Sequence, residues 1–154
     1  MKIIFLDVDG VLNSEQFAKR MLDEGVHVFA ENMLDDRAIK LLKQIIDATK
    51  ANVVISSTWR NDPVAIDHLL VQLNAHDIWP IGMTPRLCGE RGDEISEWMQ
   101  RYSGYIESYV ILDDDADMGK HMDHLVLTWF KYGLQPAHAE RAIEILNGGH
   151  TDDD

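Results

Sequence analysis

Two hydrophobic rhythms alternate along this chain. Short continuous apolar runs at Ile3 to Leu6, Val53 to Ile55, Tyr109 to Leu112 and Leu125 to Leu127 are each bounded by polar or turn-forming residues, the pattern of strands buried on both faces. Between them run stripes spaced three and four residues apart, which predict amphipathic helices: Ala38, Leu41, Leu42, Ile45, Ile46; Ile66, Leu69, Leu70, Leu73; Ile95, Trp98, Met99, Tyr102; and Ala139, Ala142, Ile143, Leu146. Start signals agree, with Asp35-Asp36 ahead of the first stripe, Asp62-Pro63 ahead of the second, Asp93 as cap of the third and Pro136 opening the fourth. Gly148-Gly149 stops the last helix. A weak strand is expected at Ile78 to Ile81 and a short helix near Met118 to Met122. Residues 13 to 35 have no clean period, and Gly25 to Phe29 reads as one edge of a small hairpin inserted after the first strand.

Buried strands alternating with helices predict an α/β fold: a three-layer, Rossmann-like five-stranded parallel sheet with helices on both faces. The expected organisation is one domain over residues 1–149, a short acidic tail at 150–154, and a minimal cap or none, the extra stretches being 13 to 35 and Trp79 to Cys88. Ligands of such sheets bind beyond the carboxyl ends of the strands. Those ends carry Asp7 and Asp9, Ser56, Asp113 and Asp114, and Thr128. Alternation turns Asp7 and Asp9 to one side and Val8 to the other, and Gly10 lets the chain turn sharply. Two carboxylates about 4 Å apart repel by roughly 4 kcal/mol at an effective dielectric near 20, so the pair calls for a cation, a shared proton or a reaction that uses it. Taken singly, the D-x-D pair also fits a capping Asp beside a solvated one, and Asp113-Asp114-Asp115 also fits a solvated turn. Several strand ends bringing polar groups to one edge favour a site.

Composition narrows the chemistry. With 154 residues, 45% hydrophobic and 27% charged, the chain suits one globular domain with a sizeable core. No apolar run approaches the ~20 residues that span a bilayer, and Asp7 breaks the N-terminal run too early for a secretory signal. The single Cys88 supplies neither a disulfide framework nor a thiolate cluster, and a cytoplasmic location is expected. A net charge of -13 argues against extended nucleic-acid binding while leaving room for a local basic pocket. Carboxylates facing a hydroxyl, without clustered His, form a hard oxygen site suited to magnesium. Such a site supports an aspartyl-phosphate route, one Asp acting as nucleophile and its neighbour moving a proton. Ser56 would offer a hydroxyl, and Ser57 a neighbouring donor, to a phosphate.

Four motifs in order over nearly the whole chain, D-x-D-G after the first strand, Ser after the second, a cation before a later helix and Asp-Asp after the fourth, resemble the haloacid dehalogenase (HAD) superfamily of phosphatases. More narrowly, FLDVDGVLN, ISSTWR, R-x-x-E-I-x-x-W from Arg91 to Trp98, VILDDD and the late Gly133-Leu134 resemble the HAD domain of RNA-repair proteins. The phosphatase half of polynucleotide kinase-phosphatases is similar in outline. The resemblance implies Asp7 as nucleophile, Asp9 as general acid then base, Ser56 as phosphate ligand, and Asp113 and Asp114 holding magnesium with Asp7 and the Asp9 carbonyl. The superfamily usually has a Lys in its third motif, whereas no Lys lies between Lys50 and Lys120 here. Arg86, Arg91 and Arg101 are the candidates, and Arg91, just ahead of the helix expected from Asp93, is favoured. Arg binds phosphate bidentately, so the role survives the exchange. Trp59 and Arg60 are candidate substrate contacts, with packing the competing role for Trp59.

The implied activity is magnesium-dependent hydrolysis of a phosphomonoester on a nucleotide or nucleic-acid end. The alternatives are a catalytically silent phosphate- or metal-binding regulatory module and a phosphatase of small metabolites. A receiver-type signalling domain would need an Asp after the third strand, where Gly82-Met83-Thr84 stands.

Overall fold

A computed structural model describes residues 1–148; Gly149 and the expected tail at 150–154 lie outside the described residues. Five parallel strands, β1 (Lys2–Leu6), β2 (Asn52–Ile55), β3 (Gly82–Met83), β4 (Ser108–Asp113) and β5 (Leu125–Leu127), form one sheet in the order β3-β2-β1-β4-β5. Five helices join them: α1 (Glu15–Leu22), α2 (Asp36–Thr49), α3 (Pro63–Asn74), α4 (Arg91–Arg101) and α5 (Pro136–Leu146). Two 3-10 turns, Thr58–Asn61 and Gly119–His124, complete the connections.

Strand β1 is central and apolar on both sides because helices cover both faces. Ile4 and Leu6 pack in one cluster with Ala38, Leu42 and Ile45 of α2, Leu69 of α3 and Ala142 of α5. Ile3 and Phe5 pack in the other with Ile95 and Trp98 of α4 and with Met118. Asp35 caps α2 by accepting from the Arg37 N–H (3.0 Å). Asp62 caps α3 through the N–H groups of Val64 and Ala65, with Pro63 in the first turn. Among the described residues, no helix is long and apolar enough to cross a membrane.

Three local expectations are corrected. The hairpin edge at Gly25 to Phe29 is a series of turns, preceded by α1. Helix α1 is short, and of the apolar side formed by Phe17, Ala18, Met21 and Leu22 it buries only Phe17. The third strand lies at Gly82–Met83, beyond Ile78 to Ile81. Pro80 has no N–H to give the ladder, so regular pairing starts after it. Helix α4 begins at Arg91 with Glu90 as N-cap, and Asp93 sits three residues inside it, its carboxylate accepting from the Glu90 N–H (3.2 Å) as half of a capping box.

The register fixes where the chemistry falls. Leu6 pairs with Ile55 of β2 and Leu112 of β4. One step further, the Asp7 N–H donates to the Leu112 carbonyl (3.0 Å), the Ser56 N–H to Leu6 (3.0 Å) and the Thr128 N–H to Asp113 (2.9 Å). The sheet itself therefore holds Asp7, Ser56, Asp113 and Thr128 at one level along its carboxyl edge.

Candidate active site

Asp7 and Asp113 are buried and Asp114 is half-buried. One carboxylate oxygen from each lies within 4.8 Å of the others. Arg91, at the first position of α4, sends Nη1 between two of them, 3.0 Å from Asp7 Oδ1 and 2.6 Å from Asp113 Oδ2. Burial raises the Asp7 carboxyl well above the ordinary carboxylate range; the charge on Asp113 raises it further, and Arg91 pulls it back. Asp114 is raised by burial and then by Asp113. Burial works to lower the Arg91 pKa, but Asp7 and Asp113 together outweigh it and hold the guanidinium firmly charged.

Of the three candidate cations, the structure brings Arg91 to the acidic cluster. Arg101 pairs with Glu97 (3.4 Å) at the far end of α4, and Arg86 is exposed in the loop before that helix. Gly92 allows the approach of α4, since a Cβ there would lie 2.4 Å from the Met118 carbonyl oxygen. Gly10, at φ +80°, is required twice over: for the turn, and because a Cβ would lie 2.3 Å from Asp114 Oδ2. Asp115 is exposed and its N–H donates to Asp113 Oδ1 (2.9 Å), so it closes a turn and adds no oxygen to the cluster.

Asp9 stands apart from that cluster. Its Oδ1 accepts from Asn13 Nδ2 (2.8 Å) and its Oδ2 from the Trp59 indole N–H (3.1 Å), while Asn13 Oδ1 accepts from the Gly10 N–H (3.0 Å). Both oxygens are thus fixed by neighbours while the residue stays partly open to solvent. Trp59 is only 8% exposed, so of its two candidate roles the structure favours packing, with a hydrogen bond to Asp9, over stacking on a substrate.

The expected substrate contact of Arg60 is corrected as well. Its side chain is 4% exposed, pairs with Glu94 Oε2 at 2.6 Å, and donates to the carbonyls of Ser56, Ser57 and Thr84. It clamps the loop after β2 to the loop after β3. Ser57 spends its hydroxyl oxygen capping the 3-10 turn, accepting from the Trp59 N–H (3.2 Å). Thr128 donates its hydroxyl to the Gly10 carbonyl (2.6 Å) and so braces the turn after the D-x-D pair. Ser56 differs from both: its Oγ is buried and has no hydrogen-bond partner. A buried hydroxyl without a partner costs about 1–3 kcal/mol, and at this level of the sheet a ligand oxygen is the natural acceptor. Asn13 was unassigned in the sequence although it stands inside FLDVDGVLN; its signal was a polar side chain in an otherwise apolar Val11-Leu12 run.

A parallel sheet whose central strand delivers Asp7 between a free serine hydroxyl and an acidic pair defines a HAD-type protein. A family model for the HAD domain in Swiss Army Knife RNA repair proteins matches residues 3–139, and the chain belongs to that family. Membership points to phosphatase-type hydrolysis. No curated protein and no solved structure gives a significant match.

Proposed function

We propose that this protein is a magnesium-dependent phosphomonoester hydrolase that works through a phosphorylated Asp7, with a nucleotide or nucleic-acid end as substrate. The observation that carries the reading is the convergence of Asp7, Asp113 and Asp114 oxygens within 4.8 Å of one another, on the strand ends that also present the partnerless Ser56 hydroxyl. The donor set fits magnesium: three hard carboxylates, two of them destabilised as anions by burial and by Asp113. Asp7, Asp113 and Asp114 would hold the ion, joined by the Asp9 carbonyl as the resemblance implies. When bound, magnesium supplies charge neutralisation between the carboxylate nucleophile and the phosphoryl oxygens.

The remaining chemistry falls to side chains of this chain. An Asp7 oxygen attacks phosphorus as the bond to the leaving oxygen breaks, and Asp9 in its protonated form gives that oxygen its proton. Asp9, now a carboxylate, takes a proton from water as the water oxygen attacks the phosphoryl group on Asp7, releasing inorganic phosphate and restoring both acids. Asn13 and Trp59 hold Asp9 for both transfers. Ser56 donates its hydroxyl to a phosphoryl oxygen, and Arg91, whose contacts with Asp7 and Asp113 run through Nη1 alone, has further N–H groups for the same purpose.

For the substrate, support comes from the family description, which is one of RNA repair proteins, and from the small insertion beside the site, where an eight-residue helix and turns separate β1 from α2. An open site of this kind accepts the end of a large molecule. The test is a panel of sugar phosphates, phospho-amino acids, nucleotides and 3′- or 5′-phosphorylated oligonucleotides, assayed with magnesium and with chelator. Magnesium-dependent release of phosphate, fastest from nucleotides or oligonucleotide ends, is expected. Faster turnover of a sugar phosphate would overturn the substrate assignment and keep the mechanism, whereas no turnover of any ester would leave the silent binding module.

A further inference from the structure

The turn after β5 puts three aromatic side chains into four residues and leaves all of them in water: Trp129 60%, Phe130 40% and Tyr132 40% exposed. Large rings are left solvated on one turn at the cost of apolar area that the core would otherwise bury. Their arrangement is ordered. Lys131 Nζ lies 5.2 Å from the Trp129 ring centre and 5.5 Å from that of Tyr132, the two rings meet edge to face at 5.2 Å, and Phe130 stacks on Phe29 at 5.8 Å.

The turn is built onto the catalytic edge. Its first residue follows Thr128, which is tied to Asp113 through its N–H and to Gly10 through its hydroxyl. Gly133 closes it at φ +69°, where a Cβ would lie 3.1 Å from the carbonyl oxygens of Val11 and Asn13, and the Leu134 N–H donates to Val11 (2.9 Å). The loop carrying the D-x-D pair and the aromatic turn are therefore tied to each other by hydrogen bonds and a close backbone approach. Strand β5 is two places from β1 in the sheet, which at ~4.8 Å per strand puts the end of β5 roughly 10 Å from Asp7.

We propose that this turn is a base-binding subsite: Trp129, backed by Lys131, stacks on the nucleobase next to the terminal phosphate, and the Lys131 ammonium lies where a neighbouring phosphate passes. The proposal rests on the nucleic-acid-end reading above and goes beyond it by naming where the base goes. The occupant is chosen by chemistry. Aromatic faces with a cation among them match a molecule made of flat bases and phosphates, on a protein whose net charge of -13 otherwise repels polyanions. A purely apolar protein partner would leave the ammonium without a counterpart.

Two measurements test it. In the first, kcat/KM is compared for an oligonucleotide with a normal phosphorylated end and for the same oligonucleotide with an abasic terminal residue. The wild-type preference for the base-bearing end is expected to fall about tenfold in Trp129→Ala, through KM, and to return largely in Trp129→Phe. In the second, binding of the same oligonucleotide to Asp7→Asn protein is followed by tryptophan fluorescence. Quenching is expected, and it should shrink in Asp7→Asn/Trp129→Phe although that protein still binds. Equal effects of Trp129→Ala on base-bearing and abasic ends, or quenching untouched by Trp129→Phe, overturns the subsite while oligonucleotide turnover keeps the substrate reading. Absence of both turnover and binding of oligonucleotides removes the two together. Self-association of the wild type that Trp129→Ala abolishes would assign the turn to a protein interface instead.

Discussion

In the proposed mechanism Asp9 moves the proton, and its hydrogen bonds to Asn13 and Trp59 show how neighbours position a carboxylate. Trp59→Phe keeps the buried ring and removes the N–H that holds Oδ2. We expect kcat to fall about tenfold, a loss near 1.4 kcal/mol of transition-state stabilisation, with KM little changed and an altered pH-rate profile; an unchanged profile and kcat would leave Trp59 as packing alone. Arg60 makes the opposite forecast. Arg60→Ala strands Glu94 as a buried, unpaired charge and should lower unfolding free energy by about 3–5 kcal/mol in urea titration. A stable Arg60→Ala protein with raised KM would restore the substrate-contact role rejected above. The acids Asp7, Asp113 and Asp114 were legible because an apolar run ending in Asp is visible at once. The partners of Trp59 and Arg60 were not legible, because Asp9 and Glu94 lie 50 and 34 residues away and meet them only through the turn geometry after β2.

At the scale of elements, strands β1, β2, β4 and β5 and helices α2, α3 and α5 were legible from period and caps, since burial on two faces or on one stripe leaves a mark in sequence. Helix α1 was overlooked because it is only eight residues long: Phe17, Ala18, Met21 and Leu22 fall on one side at helical spacing, but only Phe17 reaches the core. The start of α4 was placed late because Asp93 is a capping-type residue serving from inside the first turn. Helix α4 is anchored to β4 by His121. The Ser96 hydroxyl donates to the Gly92 carbonyl (2.9 Å), so its oxygen accepts from His121 Nε2 (2.7 Å), and Nδ1 accepts from the Tyr109 hydroxyl (2.6 Å). Burial first, then Lys120 and His124, lower the His121 pKa below 6.5, and burial pushes Tyr109 up to about 12. The unfolded chain then binds the proton more readily than the folded one, so this anchor contributes fully above about pH 6.5 and is lost as pH falls through that value toward the folded-state pKa. Urea midpoints at pH 7.5 and 5.5 should therefore differ more for wild type than for His121→Gln. Equal differences would detach His121 from the acid sensitivity.

For the whole molecule, the central sheet turns an acidic chain's repulsion into a site. In metal-free protein the raised Asp7 pKa means that its charge opposes folding: the contribution favours the native state below the unfolded pKa and is lost as pH rises through the folded value. Metal-free Asp7→Asn should therefore unfold at a temperature no lower than wild type at neutral pH, and magnesium should raise the wild-type midpoint more than the variant's. A clearly lower midpoint for metal-free Asp7→Asn would mean that Arg91 needs Asp7 more than Asp7 burdens the fold. The overall architecture was readable because parallel α/β sheets put ligands at one edge whatever the loops do; the aromatic turn at 129–132 was not, because exposed rings in sequence look like core residues. The covalent role of Asp7 is tested most directly by trapping. Protein mixed with a phosphorylated substrate and magnesium, quenched in acid and reduced with borohydride, should carry homoserine in place of Asp7 on peptide mass spectrometry, in proportion to turnover and with none in Asp7→Asn. Steady turnover with Asp7 left unmodified, or the modification appearing at another carboxylate, would contradict the mechanism.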